Sequence, residues 1–297
     1  MSELKDILGP MRIPFLLLTP VCVLLGSGTA FWTCGHVNVL YFSLAFIGAL
    51  SAHISVNSLN EYFDFKSGLD FKTRRTPFSG GSGTLPENPN MARQALGTGL
   101  ITFGITASIG IYFLIVRGLL LLPLGLFGLL LVFFYTNCFT RDPLLCLIAP
   151  GLGFGPLMVM GTDFVLTGAY SLTTFIASLV PFFLVSDLLL LNQFPDVEAD
   201  REAGRQHFPI VVGPRVSSLI YGAFLLLAYV SIIFGFYFED LPRFTLLGLL
   251  TVPIAVAAFY GAYRHGENIK KLLPFMGLNV IIIILTPVLV ATGLFIG

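Results

Sequence analysis

The sequence is poor in charge. Only 11% of its 297 residues are charged, with 16 basic and 16 acidic side chains, whereas 56% are hydrophobic and the mean hydropathy is +0.89. Soluble domains carry roughly 25% charged residues, so this composition excludes a soluble enzyme and also a disordered chain. The balanced charge provides no basic field for a nucleic-acid partner. The composition is that of a polytopic membrane protein.

Cysteine motifs and strand-like alternation are missing as well. The four cysteines have no CxxC spacing, which argues against a zinc site and a disulfide framework. The apolar runs are continuous and too long for alternating barrel strands. A helical membrane protein is therefore expected.

Nine apolar runs of about 20 residues are long enough to cross a bilayer as helices. We predict an all-α polytopic membrane protein with one transmembrane domain over residues 1–297. The fifth run is the weakest, because it is rich in glycine and proline. The runs lie near residues 13–33, 39–60, 95–116, 119–136, 144–161, 171–193, 216–238, 245–263 and 274–296.

The basic residues between the runs predict an orientation. With a cytoplasmic N-terminus, 14 of the 16 basic residues are cytoplasmic and only Arg117 and Arg243 are outside. This asymmetry satisfies the positive-inside rule and predicts an N-in, C-out topology with long cytoplasmic loops near 61–94 and 194–215. The cytoplasmic set is Lys5, Arg12, Lys66, Lys72, Arg74, Arg75, Arg93, Arg141, Arg201, Arg205, Arg215, Arg264, Lys270 and Lys271.

Each long loop contains a motif of one asparagine and spaced aspartates. The first motif, residues 60–70, has Asn60, Asp64 and Asp70; the second, residues 192–200, has Asn192, Asp196 and Asp200. Residues four apart share one face of a helix, so each motif is expected to stack an amide and a carboxylate at the cytoplasmic end of a span. Asn60 and Asn192 are 132 residues apart, and so are Asp64 and Asp196, which is consistent with a diverged internal repeat.

Two such clusters suit a magnesium diphosphate. Mg²⁺ prefers carboxylate and amide oxygens and completes its shell with water and substrate phosphates. Arginine forks match phosphate oxygens, and arginines follow both motifs, as Arg74 and Arg75 after the first and as Arg201 and Arg205 after the second. Metal and arginine together stabilise a diphosphate leaving group. A single aspartate at a helix end is ordinarily a cap, but two matching motifs are hard to explain as caps.

The glycine-rich stretch Phe78–Gly83 lies in the first loop. Its backbone N–H groups could bind phosphate, although it lacks the ending of a P-loop. A flexible hinge and a loop that closes over a reactive intermediate are the alternatives.

These residues resemble the UbiA superfamily of intramembrane prenyltransferases, over nearly the whole chain. The motif Asn60-Glu61-x2-Asp64-x5-Asp70 is similar to the family's NDxxD-type motif, with Glu61 in place of an aspartate. The longer spacing before Asp70 and the second motif are closest to the branch that prenylates 1,4-dihydroxy-2-naphthoate for menaquinone. Phe154 stands where that branch has an acidic residue.

The resemblance implies a Mg²⁺-dependent polyprenyl transfer from a polyprenyl diphosphate to a small aromatic acceptor. It places the enzyme in the bilayer of the plasma (inner) membrane, with the active site on the cytoplasmic side. Asn60, Asp64, Asp70, Asp196 and Asp200 would bind metal, and Arg12, Arg74, Arg205 and Asn192 would bind diphosphate. Asp64, Asp196 and Tyr135 would be catalytic. Arg12 could instead be a topology signal, and Tyr135 an interfacial anchor.

Three polar residues within predicted spans remain. His53 and Asn57 lie one and two turns before Asn60 on the same helix face, so they are candidates for an acceptor pocket. For His53 an interhelical hydrogen bond is the alternative. Asp187, an ionisable residue inside the sixth run, lies on the face opposite Asp196. It would orient the acceptor or bond to a neighbouring helix.

Competing functions remain open at this point. The acceptor could be 4-hydroxybenzoate or a lipid glycerol phosphate. A transporter would also place polar residues in spans, but near the midplane and not at one membrane face. A membrane scaffold would leave the paired motifs unexplained.

Overall fold

The computed structural model describes residues 8–297, apart from the side chain of Asn137. All regular secondary structure in that part of the chain is helical. Nine of its helices are long and apolar enough to cross a membrane, which confirms the predicted class and number of spans. Lys5, counted above as cytoplasmic, lies outside the described residues. The spans are Gly9–Cys34, Val39–Ser67, Pro89–Arg117, Leu119–Thr136, Pro143–Thr167, Leu172–Asn192, Gly213–Tyr237, Arg243–His265 and Ile269–Ile296.

The second span is longer than predicted. Asn38 caps its start by accepting from the Tyr41 N–H, and the helix continues to Ser67, where Gly68 ends it at φ 81°. The predicted loop start at residue 61 is therefore wrong, and the first motif begins on the helix itself. A short 3-10 helix, Leu69–Phe71, then carries the last aspartate of the motif.

The second motif is not the single helical stack that its spacing predicts. The sixth span ends at Asn192, a turn covers residues 193–196, and a new short helix runs over Val197–Glu202. Pro195 accounts for the break, because a proline inside a helix lacks an N–H donor and its ring clashes with the carbonyl four residues earlier. A further short helix, Phe208–Val211, follows.

The glycine- and proline-rich fifth span combines three helical forms. An α-helix over Pro143–Leu152 passes into a π-helix, Gly153–Met160, and then into an α-helix, Gly161–Thr167. A Cβ on Gly155 would lie 2.5 Å from the Ser178 carbonyl oxygen of the sixth span. Glycine here allows the fifth and sixth spans to pack with their backbones close together.

The packed core is off-centre. The largest buried cluster joins the first, fifth, sixth, seventh, eighth and ninth spans and includes Leu184, Tyr221, Ile232 and Ile282. The third and fourth spans are more exposed and contribute to a small cluster around Phe113. This asymmetry leaves a cavity among the first six spans.

Candidate active site

The cavity has a volume of about 580 Å³. Its aspartate and arginine side chains lie with both motifs at one end, the motif end, and the remainder is lined mainly by small and apolar side chains of the second to fifth spans. Every asparagine and aspartate of the two motifs lines it: Asn60, Asp64, Asp70, Asn192, Asp196 and Asp200. The two motifs therefore line one cavity, as predicted, although a turn interrupts the second motif.

Arg205 bridges the two motifs. It donates to Asp64 of the first motif through Nη2 and to Asp200 of the second through Nη1, at 3.2 Å. Burial opposes its charge, but the Asp64 and Asp200 carboxylates outweigh that effect and raise the pKa of Arg205 above its usual value. The guanidinium stays charged at the centre of the motif end.

Asp200 is held from a second side. Its Oδ2 lies 3.1 Å from His207 Nε2, and both side chains are buried. The backbone N–H of Arg205 donates to the Asp200 carbonyl at 2.9 Å and closes the turn after the short helix. The orientation of this carboxylate is therefore set before any ligand binds.

Arg12 reaches the cavity from the start of the first span. It lies between two 3-10 turns with φ 51°, a left-handed conformation that costs a non-glycine residue energy. Its Nε donates to Glu61 Oε1 at 2.7 Å, and the Glu61 side chain is fully buried. This ion pair offsets the backbone strain and directs the guanidinium toward the motif carboxylates.

Asp70 and Asp196 each have a carboxylate oxygen with no hydrogen-bond partner. Asp70 Oδ2 and Asp196 Oδ1 are buried and unpaired among the described residues. Burial raises the pKa of both carboxyls to about 7, and nearby Glu61 and Asp200 respectively add to the shift. Unpaired buried carboxylates are costly, and a cation at the motif end would satisfy them.

No group of three or more His, Cys, Asp or Glu side chains is preassembled as a metal site within residues 8–297. A magnesium site needs only one or two carboxylates, because waters and substrate phosphates complete its shell. The donor set at the motif end fits a cation that arrives with a diphosphate.

The wall beyond the motif end carries a few polar groups. Tyr135 lines the cavity there. Asn60 Nδ2 donates to Thr136 Oγ1 at 3.2 Å, and Gln193 Nε2 contacts Cys146 Sγ at 3.1 Å. Tyr135 thus lines the cavity directly before Thr136, which contacts Asn60 of the first motif.

The two acceptor-pocket candidates on the second span also line the cavity. His53 has the interhelical bond given as its alternative role, because its Nδ1 lies 2.9 Å from Thr19 Oγ1. The edge of its ring meets Phe154 at 4.7 Å between centroids. Asn57 donates to the Met11 carbonyl at 3.0 Å and so helps to fix the turn before Arg12.

Two predicted residues lie elsewhere. Arg74 is exposed and does not line the cavity, because the chain after Asp70 carries it to the outer surface of the loop. Asp187 is fully buried in the core on the other face of the sixth span, and neither of its oxygens has a hydrogen-bond partner among the described residues. The structure therefore places neither Asp187 nor Arg74 at the cavity, and the hydrogen bond to a neighbouring helix given as the alternative for Asp187 is not formed among the described residues.

Sequence reasoning missed several residues of the site. Gln193 and His207 both line the cavity; Gln193 lies inside the second motif but off its four-residue spacing, and His207 follows the motif. Glu61 was noted only as a departure from the usual motif, yet it anchors Arg12. The position of Glu61 inside the first motif marked it as a candidate site residue. Its contacts with distant segments could not be deduced from the spacing.

The sequence matches the UbiA prenyltransferase family over residues 19–281. The chain belongs to this family. The chain is 31% identical over 242 residues to UbiA prenyltransferase domain-containing protein 1 of Xenopus tropicalis, an alignment that covers 78% of this chain and 66% of that protein. It is 26% identical over 219 residues to 1,4-dihydroxy-2-naphthoate octaprenyltransferase of Bacillus subtilis (strain 168), covering 72% of this chain and 68% of the relative.

Solved structures show the UbiA fold as well. A UbiA homologue from Archaeoglobus fulgidus, bound to DMAPP and Mg²⁺, superposes with a TM-score of 0.62 at 15% identity, covering 96% of this chain and 99% of that one. At that identity the likeness establishes the fold alone. The chain spans about two thirds of the length of the curated relatives it matches. Membership of the UbiA family makes the protein an integral membrane prenyltransferase.

Proposed function

We propose that this protein transfers a polyprenyl group from an allylic diphosphate to a small aromatic acceptor, in a Mg²⁺-dependent reaction within the membrane. The observation that carries the proposal is the division of the cavity. Carboxylates of both motifs meet Arg12 and Arg205 at one end, and the rest of the cavity is lined mainly by apolar side chains. A diphosphate needs the first part, and an isoprenoid tail needs the second.

The motif residues take distinct roles in this proposal. Asn60, Asp64, Asp70, Asp196 and Asp200 would hold Mg²⁺, and the unpaired oxygens of Asp70 and Asp196 support this assignment. A bound Mg²⁺ stabilises the charge that develops on a diphosphate leaving group. The diphosphate would be bound by Arg12, Arg205 and Asn192.

The protein's own groups set the course of the reaction. Arg12 and Arg205 donate to the diphosphate oxygens while the carbon–oxygen bond breaks and its electron pair leaves with the diphosphate. The allylic cation forms beside Tyr135, whose ring face stabilises positive charge. A ring carbon of the acceptor then forms the new carbon–carbon bond, and loss of a proton or of carbon dioxide restores aromaticity.

1,4-Dihydroxy-2-naphthoate, in menaquinone biosynthesis, is the first candidate for the acceptor. The name of the Bacillus subtilis relative supports it, as does the spacing of the first motif. His53 and Asn57 line the wall where a flat aromatic ring would lie next to the cation. Phe154 packs on the ring of His53 and provides an apolar surface for the acceptor.

The same proposal includes the orientation. We infer an N-in, C-out topology in the plasma (inner) membrane, with both motifs at the cytoplasmic face. The distribution of basic residues supports it. A charged diphosphate would then enter the site from the cytoplasm.

Diphosphate release by the purified protein in lipid tests the proposal. The reactions contain Mg²⁺ and geranylgeranyl diphosphate with naphthoate, benzoate or glycerol-phosphate acceptors in separate tubes. Prenylated naphthoate that disappears on chelation is the expected result. Product with another acceptor instead would overturn the acceptor assignment. Absence of release with allylic diphosphates of every length would overturn the transferase itself and favour a transporter.

A further inference from the structure

Glu61 holds two segments of the motif end together. Its side chain is fully buried and does not line the cavity. Oε1 accepts from Arg12 Nε at 2.7 Å and from the Ser82 N–H at 2.7 Å, while Oε2 accepts from the Ser82 hydroxyl at 2.8 Å. Both oxygens are thus used to join the start of the first span to the glycine-rich loop.

The glycine-rich loop lies directly on the motif carboxylates. A Cβ on Gly81 would lie 3.2 Å from Glu61 Oε1 and 3.3 Å from Asp70 Oδ1. Gly81 has φ 71°, a conformation that favours glycine. Ser79, Gly80 and Gly81 also line the cavity, so the loop forms part of the wall around the diphosphate end.

We propose that Glu61 is a positioning residue that keeps the loop over residues 76–84 closed on the motif end and holds Arg12 toward the diphosphate. The inference rests on the proposed function. Water that reached the allylic cation would form a carbon–oxygen bond to it and release a proton, so that the products would be a prenol and diphosphate. A closed loop suppresses this hydrolysis by excluding water.

The length of the glutamate is part of the argument. Aspartate would withdraw the carboxylate by one carbon–carbon bond, about 1.5 Å. Its oxygens could not then stay at hydrogen-bond distance from both Arg12 and Ser82. An aspartate at position 61 should therefore lose at least one of these two contacts.

The test compares wild type, Glu61→Asp, Ser82→Ala and the control Glu198→Gln. Glu198 is an exposed acidic residue near the same end, and its replacement removes charge without touching the loop. Each purified variant is assayed in lipid for diphosphate, prenylated acceptor and prenol. Backbone hydrogen exchange of residues 76–84 is measured without substrate.

Glu61→Asp should raise the ratio of prenol to prenylated acceptor by at least about tenfold, the lower end of the range that corresponds to losing one hydrogen bond to a charged group. Ser82→Ala keeps the backbone contact to Glu61, so its ratio should rise less. Both variants should exchange faster in the loop, and Glu198→Gln should match wild type. Diphosphate release should fall less than prenylated product.

Two results would overturn the inference. One is an unchanged ratio of prenol to prenylated acceptor in a folded Glu61→Asp protein. If this variant lost all products equally, the ratio would also stay unchanged, and Glu61 would have a merely structural role. The other is unchanged loop exchange in both variants. Because exchange needs no substrate, it tests the loop contact even if wild type releases no diphosphate, a result that would defeat the proposed function separately.

Discussion

Replacing Arg205 with lysine tests the bridge between the two motifs. The guanidinium donates to Asp64 and Asp200 through two different nitrogens. A lysine ammonium is a single point charge and cannot copy this fork. Arg205→Lys therefore keeps the positive charge but loses one of the two contacts, and it loses any bidentate contact to the diphosphate.

The expected magnitude follows from the burial of the bridge. A hydrogen bond to a charged group contributes about 1.5–3 kcal/mol, which corresponds to about a 10- to 150-fold change in an equilibrium or rate ratio. The Arg205 side chain is only 19% exposed and that of Asp200 only 6%, so water replaces the lost contact poorly. We expect kcat/KM to fall within this range.

Steady-state diphosphate release in lipid vesicles measures the effect, with allylic diphosphate varied at saturating acceptor. Arg201→Lys is the matched control, because Arg201 is exposed and does not line the cavity. If Arg205→Lys kept the kcat/KM of wild type while remaining folded, the fork geometry would have no part in the reaction. If kcat/KM fell equally in both variants, the loss would come from changes in the whole loop and not from the Arg205 bridge.

Three further results are expected. Asp64→Ala or Asp196→Ala should abolish diphosphate release in a folded protein, because each removes a proposed metal ligand; extraction and thermal unfolding report the fold. The Mg²⁺ concentration for half-maximal release should increase as the pH falls through about 7, because burial raises the pKa values of Asp70 and Asp196 to about 7 and protons then compete with the cation. Asp187→Asn should leave kcat and KM unchanged, because Asp187 does not line the cavity.

Each of these expectations has a contrary outcome. Near-normal release by both aspartate variants would remove the metal assignment. A Mg²⁺ requirement that is flat between about pH 6 and pH 8 would show that the carboxyls are already ionised in that range. A changed KM for the acceptor in Asp187→Asn would restore its role in acceptor binding.

The spans were predictable because a bilayer imposes a length. About 20 apolar residues are needed for each crossing, so the nine helices follow from hydropathy alone. Their ends were less predictable. The second span continues past Asn60 to Ser67, because polar residues can extend a helix beyond the hydrocarbon region without any signal in hydropathy.

The site was predictable only as far as local spacing reaches. The asparagines and aspartates of both motifs were found from their spacing, and the structure brings them to one cavity. Pro195 should have signalled the break in the second motif. The role of Glu61 depends on contacts between distant segments, such as that with Ser82, which no periodicity reveals.

The cavity wall between the third and fourth spans has a consequence for turnover. Ile111, Leu122 and Leu126 line the cavity and are also exposed at the surface of the third and fourth spans, so the cavity reaches the side of the molecule that would face lipid in the proposed membrane arrangement. Exposing one CH₂ group to water costs about 0.8 kcal/mol, which makes about 4 kcal/mol for a five-carbon isoprene unit. A tail that leaves sideways avoids this cost, so the rate of product departure need not fall steeply as the chain gets longer.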